Sequence, residues 1–180
     1  SNLITLSEGS TNKIAASAGI SATLSGTITS SENGGSVIFG SSTNTGTITL
    51  TGTNTYTGGT TISAGTLSIS SGGGSGTNLS TSSVIIGGGT LKLNASETIS
   101  NAIALSSNSS NTIVASTGIS ATLSGDISGS GNAIFGNSAN TGTITLAGAN
   151  TYSGGTTIRA GTLSVSSGGD SGANLSTGGI

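Results

Sequence analysis

No cysteine, histidine, proline, methionine or tryptophan occurs in the 180 residues, and only 4% of them are charged. Each absence removes a chemistry. Without Cys there are no disulfides, thiolate metal sites or thiol nucleophiles, and without His there is no imidazole base. Ser/His/Asp hydrolases, zinc enzymes and thiol redox enzymes go with them. Three Lys or Arg face five Asp or Glu, a net charge of −2, which argues against neutralising a phosphate backbone and so against nucleic-acid partners. No apolar run approaches the ~18 residues that cross a bilayer, so this segment is not expected to insert in a membrane. The chain opens without Met and without a basic, then apolar, leader; a piece of a longer protein is expected. The missing proline fits a chain made of sheet, where Pro deletes ladder hydrogen bonds.

What is present is glycine, 33 residues of it, and a great deal of Ser, Thr, Asn and Ile. Disordered chains are poor in β-branched residues, and this one is rich in them. The sequence also repeats. GISATLSG stands at 19–26 and again at 118–125, and GTITL at 46–50 and 142–146, offsets of 99 and 96. The difference falls in one loop, where GTITSSENGGSVIFG (26–40) becomes GDISGSGNAIFG (125–136). The expected organisation is a single array over 1–180, with one long repeat at 1–99 and a second, incomplete, at 100–180. Self-similarity at a fixed period marks a solenoid.

Within the long unit, apolar residues recur two apart with Thr, Ser or Lys between them: Ile48/Leu50, Leu67/Ile69, Leu91/Leu93, Leu163/Val165. That period belongs to half-buried strands, and helix formers are scarce. Leu6, Leu24, Ile48, Leu67, Ile86, Leu105, Leu123, Ile144 and Leu163 make a ladder whose steps run from 18 to 24, most of them 18 or 19. This predicts coils of ~19 residues, each three short strands, about nine in the chain and stacked into a rod roughly 43 Å long. On that count Leu67 lies beneath Ile86, and Ile86 beneath Leu105. Ile and Leu fill a narrow core, Thr and Ser stack outside it, and glycine turns the corners.

The most distinctive segment is LTGTNTYTGGTTISAGTLSI (50–69), which recurs as LAGANTYSGGTTIRAGTLSV (146–165). Asn54, Tyr56, Gly58, Gly59, Gly65 and Leu67 mark the first copy. Asn150, Tyr152, Gly154, Gly155, Gly161 and Leu163 mark the second. The segment resembles the passenger-associated transport repeat, also called the autotransporter-associated β-strand repeat. The resemblance implies an extracellular or cell-surface passenger of a Gram-negative type V secretion system, exported through an outer-membrane translocator barrel. With the usual crossover rule it implies an all-β fold, a right-handed parallel β-helix (β-solenoid). It also implies a motif that aids export and folding without being an active site. Read from the residues alone, the two Tyr cover the core at a Gly-Gly corner with their hydroxyls in water. The two Asn bond turning backbone.

Other features read as structure. Thr-x-Thr is concentrated in 45–61, and its second copy is broken by Ala147, Ala149 and Ser153, so a single-faced ice-binding array is not expected. Asp170 in GGDSGAN lacks the spacing of calcium-binding nonapeptides. Of the acids, only Glu32 and Asp126 fall near one coil edge. Lys13, Lys92 and Arg159 read as solvated charges that discourage edge pairing. Asn78, Asn94, Asn108 and Asn174 begin N-x-Ser/Thr triplets. The expectation is a structural protein, not an enzyme, with no cofactor and no metal. It is a stiff stalk or fibre whose partners are flanking repeats or neighbouring copies end to end. The rival is an adhesin module that holds a surface glycan.

Overall fold

The computed structural model describes residues 3–31, 34–70, 78–107, 109–166 and 175. Among them every helix or strand is a strand, nineteen in all. Every pairing between them is parallel. The alternation seen in the sequence is the alternation of burial. In Thr47–Leu50, Thr90–Leu93 and Thr143–Leu146 the two Thr or Lys positions are half-buried, and the Ile and Leu positions are fully buried.

The strands form three walls that the chain visits in turn. The third wall is one seven-stranded sheet: Ser21–Leu24, Thr47–Leu50, Thr66–Ile69, Thr90–Leu93, Ser110–Ala115, Asn132–Phe135 and Thr156–Ile158. The second is a six-stranded sheet: Thr11–Ile14, Ser36–Phe39, Thr60–Ile62, Val84–Ile86, Ile103–Leu105 and Ile127–Gly129. The first wall starts as Ile4–Leu6 on Ile28–Ser30 and passes without strand through residues 53–57 and 78–80. It resumes as Thr98–Ile99, Ser120–Leu123, Thr143–Leu146 and Thr162–Val165. The strandless stretches keep the stacking, since the Thr55 N–H donates to the Ile28 carbonyl at 2.8 Å. The fold is a parallel β-solenoid of about seven turns, counted on the seven strands of the third wall.

Two expectations are corrected by the register. The coil is longer than nineteen residues, and there are about seven coils, not nine. Leu67 pairs with Leu91, 24 residues on, and Leu91 with Ile113, 22 on; Ala22 pairs with Ile48, 26 on. Steps of nineteen do occur, at Ile48↔Leu67, Ile86↔Leu105 and Ile144↔Leu163. Leu67 therefore does not lie beneath Ile86: the first is on the third wall, the second on the second wall. Likewise Leu105 pairs with Gly129 on the second wall, while Leu123 pairs with Ile99 and Leu146 on the first. Every wall carries the same apolar alternation, so a ladder drawn through it steps from wall to wall unnoticed. About seven rungs at ~4.8 Å make a rod of roughly 34 Å.

The interior is a column of side chains each stacked on its pairing partner. Ile48, Leu67, Leu91, Ile113 and Phe135 climb one row, and Phe39, Ile62, Ile86 and Leu105 another, all nearly or fully buried. Each such residue contributes roughly 1.5–3 kcal/mol by leaving water. Two neighbouring coils support every inner coil, so stability accumulates along the array.

Candidate functional site

The Asn and Tyr of the repeat motif lie inside the rod, not on it. Asn54 is 6% exposed, and its side chain joins three successive coils. Its Oδ1 accepts the Ile28 N–H of the coil before at 2.8 Å, and its Nδ2 donates to the Asn78 carbonyl of the coil after at 2.8 Å. The first wall has no strand at residues 53–57, so the ladder leaves the Ile28 amide unpaired there, and the asparagine replaces the missing bond. Asn150 repeats the accepting half, taking the Ile127 N–H at 2.9 Å.

Tyr56 and Tyr152 are both 0% exposed. The expectation that their hydroxyls reach water is corrected. Each hydroxyl bonds the Oγ1 of the Thr four residues on, Thr60 or Thr156, at 2.6 Å. Those Thr side chains point inward and are themselves buried. Burial pushes the Tyr56 hydroxyl above its ordinary pKa, against the lowering effect of its bond to Thr60. The Tyr-x-Gly-Gly-Thr spacing is thus a closed corner: the ring fills the core and its one polar atom is satisfied within it.

The glycines of the motif divide by role. A Cβ on Gly58 would stand 2.5 Å from the Gly35 backbone, and one on Gly154 would stand 2.2 Å from Gly131. Glycine is stacked on glycine at that corner. Gly65 and Gly161 have φ of 68° and 75°, and each would place a Cβ 2.5 Å from the carbonyl oxygen of Gly46 or Gly142. Gly59 is less confined: its Cβ would meet only the Ser83 carbonyl, at 3.4 Å. Gly155 donates its N–H to Asn132 Oδ1 at 2.8 Å. Leu67 is fully buried, and Leu163 packs partly buried against the core.

Outside, the hydroxyls align more than their spacing in the sequence suggests. Ser21, Thr47, Thr66, Thr90 and Thr112 stack in register along the third wall, as do Thr23, Thr49, Ser68 and Lys92 beside them. Thr143 and Thr145 stack on the first wall instead, so the Thr-x-Thr pairs do not share one face. A groove of about 390 Å³ runs over the third wall, floored by Thr47, Thr49, Thr66 and Ser68 with Lys92 and Asn94 at its side.

Some structural residues were missed by the sequence reading. Asn12 and Asn111, equivalent in the two copies, each staple a turn to the next coil. Asn111 is fully buried, and its Nδ2 donates to the carbonyls of Ser106, Ser109 and Asn132. Asn12 does the same toward Ser7, Ser10 and Ser36. The available signal was the repetition of Asn itself, which a chain so rich in Asn hides. Asn78 is 3% exposed and bonded to the Ser70 carbonyl, so its triplet is shielded in the folded chain. Asn94 bonds Ser68, Ser70 and Ser116. Asn108, Asn174, Glu32 and Asp170 lie outside the described residues. Asp126 accepts the Ala149 N–H of the next coil at 2.8 Å, a turn contact. Among the described residues no three His, Cys, Asp or Glu gather.

Among the described residues Glu97 is the acid drawn inward: its Oε1 is buried without a hydrogen-bond partner. Burial raises its carboxyl above the ordinary value of 4.5. A raised carboxyl holds its proton more tightly in the fold than in the unfolded chain. Below about 4.5 both states are protonated and there is no penalty; as the pH rises through that value and past the folded one, stability falls and then levels off. Glu97→Gln is expected to abolish that fall and to be the more stable protein at neutral pH. Urea midpoints taken across the acid range for both proteins check it, and a Gln variant with an unchanged pH profile would refute it.

These features define a class: a parallel β-solenoid whose repeated motif is spent on joining coils. Residues 43–69 and 138–165 match the family model of the passenger-associated-transport-repeat. Both matched stretches hold the Asn-Thr-Tyr-x-Gly-Gly-Thr corner. No curated protein and no solved structure matches the chain.

Proposed function

We propose that the chain is a rod segment of a secreted or surface-displayed autotransporter passenger, mechanical in role and without catalysis. It folds coil upon coil outside a Gram-negative cell after passing an outer-membrane barrel. The observation that carries this reading is Asn54, whose side chain is divided between the preceding coil and the following one. A motif built that way serves stacking. Few charges and no Cys suit passage as an extended chain, and the chain's neighbours are further coils of the same protein or copies of it end to end.

The test places the chain between an export leader and an outer-membrane barrel in a Gram-negative host. Surface exposure as a protease-resistant rod is expected. Recovery only inside the cell, or at the surface as a fully protease-sensitive chain, would overturn the proposal.

A second reading, an adhesin module, is favoured by the groove on the third wall, whose aligned hydroxyls, Lys92 and Asn94 offer donors and acceptors to a glycan. Binding on a glycan array that disappears in Thr49→Val with the fold intact would select it.

A further inference from the structure

We infer that the long repeat is thirteen wall segments, not a whole number of coils. Each copy is therefore turned by one wall relative to the copy before, and the same surface faces the same way only once in three copies.

The count follows from the strands. From Ile4–Leu6 to its sequence equivalent Ile103–Leu105 the chain lays down eleven strands and the two strandless stretches at 53–57 and 78–80. Thirteen segments on three walls make four full coils and one wall more. The register confirms the displacement at every equivalent pair of strands. Ile4–Leu6 is on the first wall and Ile103–Leu105 on the second. Ser36–Phe39 and Thr60–Ile62 are on the second wall, and their equivalents Asn132–Phe135 and Thr156–Ile158 are on the third. Ser21–Leu24, Thr47–Leu50 and Thr66–Ile69 are on the third wall, while Ser120–Leu123, Thr143–Leu146 and Thr162–Val165 are on the first. The shortened loop of the second copy changes the number of residues but not the number of segments, so the rotation survives it.

The surface consequence concerns the hydroxyl face. Its three rungs, SATL, TITL and TLS, are identical in the two copies, and they look out from different sides of the rod. In an array joined in the same register, the face winds about the axis. A flat partner lying along any one wall, including a second rod, would meet it once in thirteen coils, about 62 Å at ~4.8 Å per rung. The repeat thereby spreads one polar surface around the rod and denies side-by-side rods a continuous matching face.

Distances between spin labels test this in the chain as it stands. The control pair, Ser21→Cys with Thr112→Cys, lies on one wall four rungs apart, about 19 Å. The test pair, Thr49→Cys with Thr145→Cys, occupies equivalent positions in the two copies. If the repeat were four whole coils, it would give the control distance. With the rotation, the labels point out from different walls: an axial ~21 Å and a lateral offset of at least ~10 Å, the spacing of packed sheets, lie at right angles, so the separation is expected to exceed the control by roughly 4 Å or more. Equal distances for the two pairs would overturn the inference. Thr23→Cys with Thr122→Cys is a second equivalent pair that answers the same question should the first fail to fold.

Discussion

Replacing Tyr56 by alanine is expected to lower the stability of the fold by about 3–5 kcal/mol, the cost of removing a large buried aromatic and leaving a cavity. Nothing about the site offers relief. The ring is fully buried in a corner whose backbone is pinned by Asn54 on both sides, so the neighbouring coils have little freedom to collapse into the space. The variant also leaves Thr60 Oγ1 without its 2.6 Å partner in a site closed to solvent. Tyr56→Phe separates the two parts, keeping the ring and removing only the hydroxyl, and is expected to lose about 1–3 kcal/mol. Tyr152 should behave alike, since its geometry repeats that of Tyr56. Denaturant midpoints for the three variants check the order. A Tyr56→Ala protein as stable as the parent would mean that the ring is not in the core.

The second large effect belongs to Gly40. Its φ is 76°, and a Cβ there would stand 2.0 Å from the Ala64 carbonyl oxygen of the next coil. Gly136 repeats this against Ala160 at 1.9 Å. The Ala-Gly of the motif thus rests directly on the corner glycine of the coil before it. Gly19 supplies the comparison: its φ is also 76°, but nothing lies within 4 Å of its added Cβ. Gly19→Ala should lose only the left-handed strain, about 1–2 kcal/mol. Gly40→Ala adds a collision with backbone that neither coil can yield to. Its expected loss is on the order of 4 kcal/mol or more, a range few single substitutions reach. Thermal unfolding followed by circular dichroism would show the contrast, and equal losses at the two glycines would refute the stacking described here.

Strands were legible because their alternation is a local property: Thr47–Leu50 and Thr66–Ile69 can be drawn from the letters alone. The motif was legible because it recurs with its glycines in place. The coil length was not, for a physical reason. Inward-facing Ile and Leu look the same on every wall, and only the corners carry the address of a wall. Those corners vary, so Ile48 to Leu67 takes nineteen residues while Leu67 to Leu91 takes 24. The inward course of the tyrosine hydroxyls was equally hidden. It depends on Thr60 and Thr156 facing the interior, whereas the alternation rule places most Thr outside.

The divided side chain of Asn54 tells the two ends of the rod apart. Its oxygen is matched by chain already laid down, whereas its nitrogen finds an acceptor only when the next turn arrives. On the folding order proposed above, a tip that has reached Asn54 presents an amide awaiting a carbonyl, and the turn carrying Asn78 fills it. If coils are laid down in chain order, as proposed above, the motif supplies such an unfinished end once in each long repeat.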